Sequence, residues 1–456
     1  MNEISKLRFD ALASYARNPL AALLAKELRW FEFNDERLLA VVLLDTDGEY
    51  SAVFMAKDMR ERYRWVDQTP FFSSIDEALA SVPEKAERIL SDLEEQRKQG
   101  DDESAPVDFF EPVHGPERLN PAFVQLANQE SLSPAREIIR PMMRWYEDID
   151  GNFIEQFQTT GFHQRIWELY LFAAFNEVGS VDQEHAVPDF VVQTLEGEFC
   201  VEATTVNPSQ GAAGMPLPPP PTETPEAERA YTNEWIPIRY AGVLCKKLDK
   251  RYWELPHVAE MPVLFAVHDF HASMSMTWSR NGLVRYLYGY DHEPTRAPNG
   301  DLVITPTKVE THRWGAKEVQ SGFFRLPEAE NVSAVIFNSS ATISKFNRIG
   351  LVAGFGSKRV RLVRAGTKYD PDPNASEPKG FQVEVRQDNY SESWIEGMDV
   401  FHNPSAKRPL DPEMLPGAAH HRLRDDGQIK SLIPKWHAYA SVTFMFVNGE
   451  EQDRQE

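Results

Sequence analysis

Cysteine, long apolar runs and positive charge are all scarce in this chain of 456 residues. Its two cysteines, Cys200 and Cys245, exclude a disulfide framework and any site built from several thiolates. The sequence has no run of about 18 apolar residues and no signal peptide, so we expect a cytoplasmic protein that does not enter a membrane. The formal net charge of -22 argues against non-specific adhesion to nucleic acid, which needs a locally positive surface.

The composition is that of a globular protein, with 42% hydrophobic and 26% charged residues. The length predicts two or three domains of mixed α/β class. We predict an N-terminal α+β domain at residues 1–105, a helical connector at 106–152, a central α/β domain at 153–365, and a C-terminal extension at 366–456 that packs on the central domain.

Three apolar segments between residues 28 and 54, separated by Asn-Asp and Asp-Gly turn signals, predict a small antiparallel meander. Helices near residues 4–27 and 75–99 are expected to cover it. The stretch at 97–106 has no apolar periodicity and is typical of a linker. These features define the N-terminal domain.

The central region begins with a helical pattern from Phe153 to Val178. Two strands follow, at residues 187–192 and 199–205, with a Glu-Gly-Glu turn between them. After a proline-rich loop at 216–225, the pattern predicts a helix near 234–253 and an apolar strand at 262–269. The order is therefore helix, hairpin, helix and strand.

Two carboxylates occupy the hairpin. Asp189 follows Pro188 at the start of the first strand, and Glu202 lies thirteen residues later on the second strand. Carboxylates on paired strands can converge on one cation, and hard oxygen ligands suit Mg²⁺ best. Phosphodiester cleavage needs such a cation to offset charge on the phosphate and to activate water. The hairpin therefore predicts a metal-dependent hydrolase.

The acidic residue Glu168 on the first helix, Pro188-Asp189 on the first strand and Glu202-Ala203-Thr204 on the second resemble the PD-(D/E)XK nuclease superfamily over residues 153–270. The resemblance implies a restriction-endonuclease-like fold and a nuclease that uses Mg²⁺, with Mn²⁺ as a substitute. It implies Asp189 and Glu202 as metal ligands, and Glu168 as the ligand of a second ion or of a water. By analogy, it also implies an endonuclease of bacterial or antiviral defence that acts on nucleic acid, with DNA expected, as a homodimer or with a partner protein.

One element departs from the family pattern, because Thr204 stands where the family has lysine. Some members supply this lysine from a neighbouring element, and the helix near 234–253 is the expected donor here. Lys247 is the first choice, since it lies at the margin of a predicted buried stripe. That stripe consists of Leu244, Leu248 and Tyr252. Lys246 is the substitute.

Four cations are expected to contact the nucleic-acid backbone. Lys246 and Lys250 lie on the same helix as Lys247, and Arg359 and Arg361 share one face of a predicted strand. Two simpler interpretations stay open: the lysines form a solvated helix face, and the arginines protect the edge strand of a sheet.

The alternative function is a non-catalytic protein of the same fold that binds nucleic acid or another protein. Thr204 and the net charge of -22 favour it. In that case Glu168 faces solvent or pairs with Arg165, and Asp189 and Glu202 are ordinary polar positions of two strands. Convergence of Lys247 with the carboxylates favours catalysis. A glycoside hydrolase, in which Asp189 and Glu202 flank an aromatic-lined cleft, is a third interpretation.

Overall fold

A computed structural model describes residues 1–18, 21–100, 105–149, 151–211 and 217–448. Helices and strands are distributed along this whole length, so the fold is mixed α and β, as the sequence predicts. Among these residues no helix combines the length and the apolar character that crossing a bilayer requires.

The N-terminal part forms a five-stranded antiparallel sheet in sequence order. Its strands are β1 (Asn2–Ile4), β2 (Ala25–Phe33), β3 (Leu38–Asp45), β4 (Tyr50–Lys57) and β5 (Tyr63–Gln68); the helices are α1 (Lys6–Ala13), α2 (Ala21–Leu24), α3 (Ile75–Ser91) and α4 (Leu93–Gln96). The predicted meander and its second helix are confirmed. The first helix is much shorter than predicted, because residues 25–33 pair with β1 and β3 instead.

The meander is covered on both faces. In β3, Leu38, Ala40 and Val42 pack with α3, whereas Leu39 and Val41 belong to the large core of the rest of the chain. Alternate residues of a strand point to opposite faces, so a continuous apolar run is expected where both faces are buried.

Four helices lead into the central region: α5 (Pro121–Asn128), α6 (Ser133–Trp145), α7 (Phe153–Gln158) and α8 (Phe162–Val178). The long helix predicted from Phe153 is interrupted, because Thr159 leaves helical geometry and α8 begins anew after Gly161. The predicted end at Gly179 is confirmed.

The segments that follow α8 are, in order, β6 (Ser180–Asp182), β7 (Phe190–Thr194), β8 (Gly197–Val206), α9 (Pro225–Ala230), α10 (Ile236–Leu248) and β9 (Val263–Asp269). A π-helical turn, Tyr231–Trp235, joins α9 to α10. Strands β7 and β8 form the predicted antiparallel hairpin, and β8 pairs in parallel with β9.

The rest of the chain adds α11 (Arg280–Tyr288), β10 (Tyr290–Arg296), β11 (Leu302–Lys308), β12 (Thr311–Trp314), β13 (Lys317–Gln320), β14 (Val332–Phe337), α12 (Ile343–Val352), β15 (Val360–Lys368), β16 (Lys379–Val385), β17 (Asp399–His402), β18 (Ala419–Leu423), β19 (Ile429–Leu432) and β20 (Ala438–Val447). Two hairpins, β10-β11 and β12-β13, stand apart from the larger sheets.

Eight of these strands form one central sheet, in the order β19-β18-β17-β14-β9-β8-β7-β6. A second sheet has the order β16-β15-β20. The predicted domain boundary at residue 365 falls inside β15, and β17, β18 and β19 extend the same sheet that contains β8. Strand β15 is paired on both sides, so the interpretation of it as an edge strand is wrong.

A buried carboxylate joins the second sheet to the rest of the molecule. Glu392, which follows β16, accepts hydrogen bonds from Arg348 of α12 at 2.7 and 2.8 Å, and it also lies within 3.4 Å of Arg364 of β15 and 3.2 Å of Lys345. Burial alone would raise the pKa of Glu392, but the three cations hold it well below its usual range. The ionisation of Glu392 in the interior therefore depends on all three cations.

We predict that Glu392→Gln lowers the free energy of unfolding by about 3–5 kcal/mol, because three buried cations lose their carboxylate. Urea denaturation monitored by circular dichroism measures the change. Asp388→Asn is the control, since the Arg386–Asp388 pair is exposed and its loss should change stability by less than about 1 kcal/mol. Equal effects of the two substitutions would contradict the prediction.

Candidate functional site

Glu168 lies on the buried side of α8 and is 2% exposed. Residues three and four positions before it share its face of the helix, and both reach its carboxylate. Arg165 Nη1 donates to Oε2 at 2.5 Å, and Gln164 Nε2 donates to Oε1 at 2.8 Å. Burial raises the pKa of Glu168, and these donors offset part of the rise. The expectation of a solvent-facing Glu168 is wrong, and its pairing with Arg165 is confirmed.

Asp189 stands immediately before β7 and completes the strand ladder at that point. The ladder pairs Phe190 with Val201, so the amide of Ala203 lies beyond the last residue of β7 that could accept from it. Asp189 Oδ2 accepts that N–H at 2.6 Å. A buried amide without an acceptor is costly, so this bond gives Asp189 a structural function beside any chemical one.

The pKa of Asp189 is raised well above its usual range. Burial is the main cause, followed by the nearby carboxylates of Glu202 and Glu168, while Lys247 and the Ala203 amide act in the opposite direction. The side chain is half-buried and lines a small recess of about 40 Å³ together with Arg165 and His185. Three carboxylates and one lysine are thus close enough to influence one another.

Glu202 lies in the middle of β8 and is 5% exposed. Lys247 of α10 reaches it from the neighbouring helix, and its Nζ donates to Oε1 at 2.5 Å. Leu244, Leu248 and Tyr252 are all buried, but α10 ends at Leu248 and Tyr252 begins a separate 3₁₀ turn, so the stripe on the helix consists of Leu244 and Leu248, with Lys247 at its margin. Because Lys247 lies next to the buried stripe, its side chain points into the protein, whereas the neighbouring Lys246 is exposed.

Tyr252 brings a hydroxyl group to the same place. It is 1% exposed, and its pKa is raised by burial and by the adjacent carboxylate of Glu202. Its hydroxyl is buried beside the Glu202 carboxylate, although no described residue accepts a well-aligned hydrogen bond from it. The sequence indicated only that Tyr252 is buried, because periodicity does not show where a hydroxyl at the end of a ring points.

Gln164 is a second residue that the sequence pattern did not single out. It links α8 to β8, since its Oε1 accepts from the hydroxyl of Thr205 at 2.9 Å while its Nε2 holds Glu168. Its spacing of four residues from Glu168 was the available signal. Thr204, the residue in the position of the family lysine, is 9% exposed.

The donors leave particular oxygens available to a cation. The described residues make hydrogen bonds to Oδ2 of Asp189 and to Oε1 of Glu202, whereas Oδ1 and Oε2 of these carboxylates receive none. Both oxygens of Glu168 are occupied by Arg165 and Gln164. In the described part of the chain, no three Asp, Glu, His or Cys side chains form a recognisable metal-binding group. The predicted metal-binding roles of Asp189, Glu202 and Glu168 stay predictions.

The cations predicted to contact nucleic acid are at the surface. Lys246 is exposed on α10, and Lys250 is exposed in the turn that follows the helix, which ends at Leu248 and not near residue 253 as predicted. Arg361 pairs with Glu384 at 2.6 Å, and Arg359 lies 3.6 Å from Glu130. Such exposed ion pairs are weak, so these side chains can exchange one anionic partner for another.

Comparison with known proteins returns no family model, no curated protein and no solved structure that matches the chain. Membership of the PD-(D/E)XK superfamily therefore stays a prediction from the residues of the site.

We predict that Asp189→Asn stabilises the protein near neutral pH and not in acid. A carboxyl whose pKa is raised by folding loses stability as the pH rises from its unfolded to its folded pKa, by about 1.4 kcal/mol for each unit of difference. Asparagine avoids this loss and still accepts from the Ala203 amide. Denaturation at several pH values measures the difference between variant and wild type.

The difference in unfolding free energy between Asp189→Asn and wild type should be small below about pH 4. It should grow as the pH rises above that value and then become constant. Asp388→Asn, at an exposed position, is the matched control and should show no comparable gain. A difference between Asp189→Asn and wild type that does not change with pH would show that folding leaves the pKa of Asp189 where it is.

Proposed function

We propose that the chain is a metal-dependent nuclease that hydrolyses nucleic-acid phosphodiester bonds, with a central PD-(D/E)XK-like domain. The observation that carries the proposal is the contact of Lys247 with Glu202, beside Asp189 and Glu168. A lysine and acidic residues brought together from two helices and one β-hairpin are the groups that this reaction requires.

Asp189 and Glu202 would hold the cation through the carboxylate oxygens that no protein donor occupies, and oxygen ligands suit Mg²⁺ or Mn²⁺. The bound cation supplies Lewis acidity and lowers the pKa of the attacking water. Binding it requires Asp189 to be ionised, so the raised pKa of this carboxyl opposes cation binding as the pH falls. Glu168, held by Arg165 and Gln164, would orient a water or a second ion.

Lys247 would supply the positive charge that the family lysine provides and that Thr204, in its place, lacks. In the metal-free arrangement its ammonium neutralises Glu202. A cation held by Glu202 would repel the ammonium of Lys247, which could then contact the nucleophile or the charge that develops on the phosphate. The hydroxyl of Tyr252, buried beside Glu202, could then donate to that carboxylate in place of the lysine.

The proposal also covers the substrate, the oligomeric state and the biological role. The substrate is nucleic acid, with DNA expected, and a homodimer would place two such sites on two strands. A cytoplasmic location and a role in bacterial defence or restriction belong to the proposal by analogy with the superfamily.

A non-catalytic protein of the same fold is the second candidate, and one observation favours it. Glu202 and Glu168 each have a cationic partner already, Lys247 and Arg165. Two ion pairs that only stabilise the fold would look the same in the absence of substrate.

The test is cleavage of labelled single- and double-stranded DNA and RNA with Mg²⁺ or Mn²⁺. We expect wild-type protein to cut at least one of them, Asp189→Ala to abolish cutting, and Lys247→Met to reduce it by about 100-fold or more. Lys98→Met, at an exposed lysine of the N-terminal part to which no role in the site is assigned, is the control and should cut like wild type.

Folded wild-type protein that cuts none of the four substrates would overturn the nuclease in favour of the binding protein. Cutting that survives Lys247→Met but not Asp189→Ala would keep the metal-dependent reaction and remove the assigned role of the lysine. Circular dichroism of each variant separates loss of activity from loss of fold.

A further inference from the structure

The second sheet exposes aromatic rings on one face. In β20, Phe444 is 53% exposed and Phe446 is 48% exposed, while Met445 between them points inward. Across the ladder, Phe446 lies opposite Arg361 and Phe444 lies opposite Val363 of β15. Two adjacent exposed phenyl rings form an apolar patch, and such patches mark sites of interaction.

Cations border these rings. The guanidinium of Arg361 lies 6.0 Å from the ring centre of Phe446. Arg359 occupies the next position on the same face, and Lys358 precedes it, both exposed. Arg364, three residues after Arg361 on β15, points to the opposite face and is buried against Glu396. The exposed cations therefore collect on the face that carries the rings.

The spacing of the rings fits successive bases. Residues two apart on a strand are separated by about 6.8 Å and point to the same side. Unpaired bases stack on aromatic side chains held in this way, and neighbouring guanidinium groups contact the phosphates. Bases inside a duplex cannot reach the rings. The surface pairs of Arg361 with Glu384 and of Arg359 with Glu130 are weak enough to be exchanged for phosphate.

We propose that the ring face, defined by Phe444, Phe446, Arg359 and Arg361, binds single-stranded nucleic acid by stacking two bases on the rings and holding the flanking phosphates. The proposal rests on the proposed function, because it names the strand state of the substrate. Binding at this face does not depend on the cation or on cleavage, so the two can be tested separately.

The experiment is fluorescence anisotropy with a labelled oligothymidylate of about 20 nucleotides, in EDTA so that nothing is cut. We expect wild type to bind, and each of Phe444→Ala and Phe446→Ala to weaken binding about tenfold. Arg361→Gln should lower the slope of log affinity against log salt by about 0.7. Phe71→Ala, which removes an equally exposed phenyl ring at 52% exposure, is the matched control and should leave binding unchanged.

Several results would overturn the proposal. Absence of single-strand binding by folded wild type is one, and equal weakening by Phe71→Ala is another. A second copy of the chain is the alternative partner for this face, and sedimentation velocity tests it. If wild type is a dimer that dissociates in the Phe444→Ala variant, and oligonucleotide affinity does not change, the face is a contact between two copies of the chain. Binding through the rings in a protein that cuts no substrate would retain this inference and reject the nuclease.

Discussion

Parallel pairing of β8 with β9 is the constraint on which the candidate site depends. Parallel neighbours cannot be joined by a tight turn, so the chain must leave the sheet and return through a helix. Helix α10 makes that return, and its buried stripe of Leu244 and Leu248 holds it against the sheet. Lys247 is therefore carried to Glu202 by topology, although 45 residues separate them along the chain. A lysine two residues after Glu202 would need no such connection.

The pKa of a buried carboxyl group in this protein depends on which charged groups surround it. Glu392 stays ionised in the interior because three cations surround it, whereas Asp189 has two carboxylate neighbours and a raised pKa. The formal charge of -22 counts both as fully ionised. A carboxyl group with a raised pKa loses its charge at a higher pH than an ordinary one, so the acidity of the chain as a whole says little about any one surface.

The features of the fold that the sequence predicted correctly are those that depend on neighbouring residues. Turn residues and alternation predicted the meander and the β7-β8 hairpin, and helical periodicity predicted that Lys247 lies at the edge of a buried stripe. Pairing between distant strands has no such signal. The sequence therefore did not reveal that β15 is a central strand with a buried Arg364, or that β17 joins the sheet of β8. Nor does a linear pattern show which oxygens of a carboxylate are already occupied.

The bond from the Ala203 amide to Asp189 connects the electrostatics of the site to the strand ladder. Whatever changes the charge on this carboxylate, a proton or a cation, also changes how strongly the amide is held. Ala203 is thus a native spectroscopic reporter: its amide resonance and its rate of solvent exchange follow the occupancy of the site without any label. A single backbone proton in the middle of β8 would register events that occur at the entrance of β7.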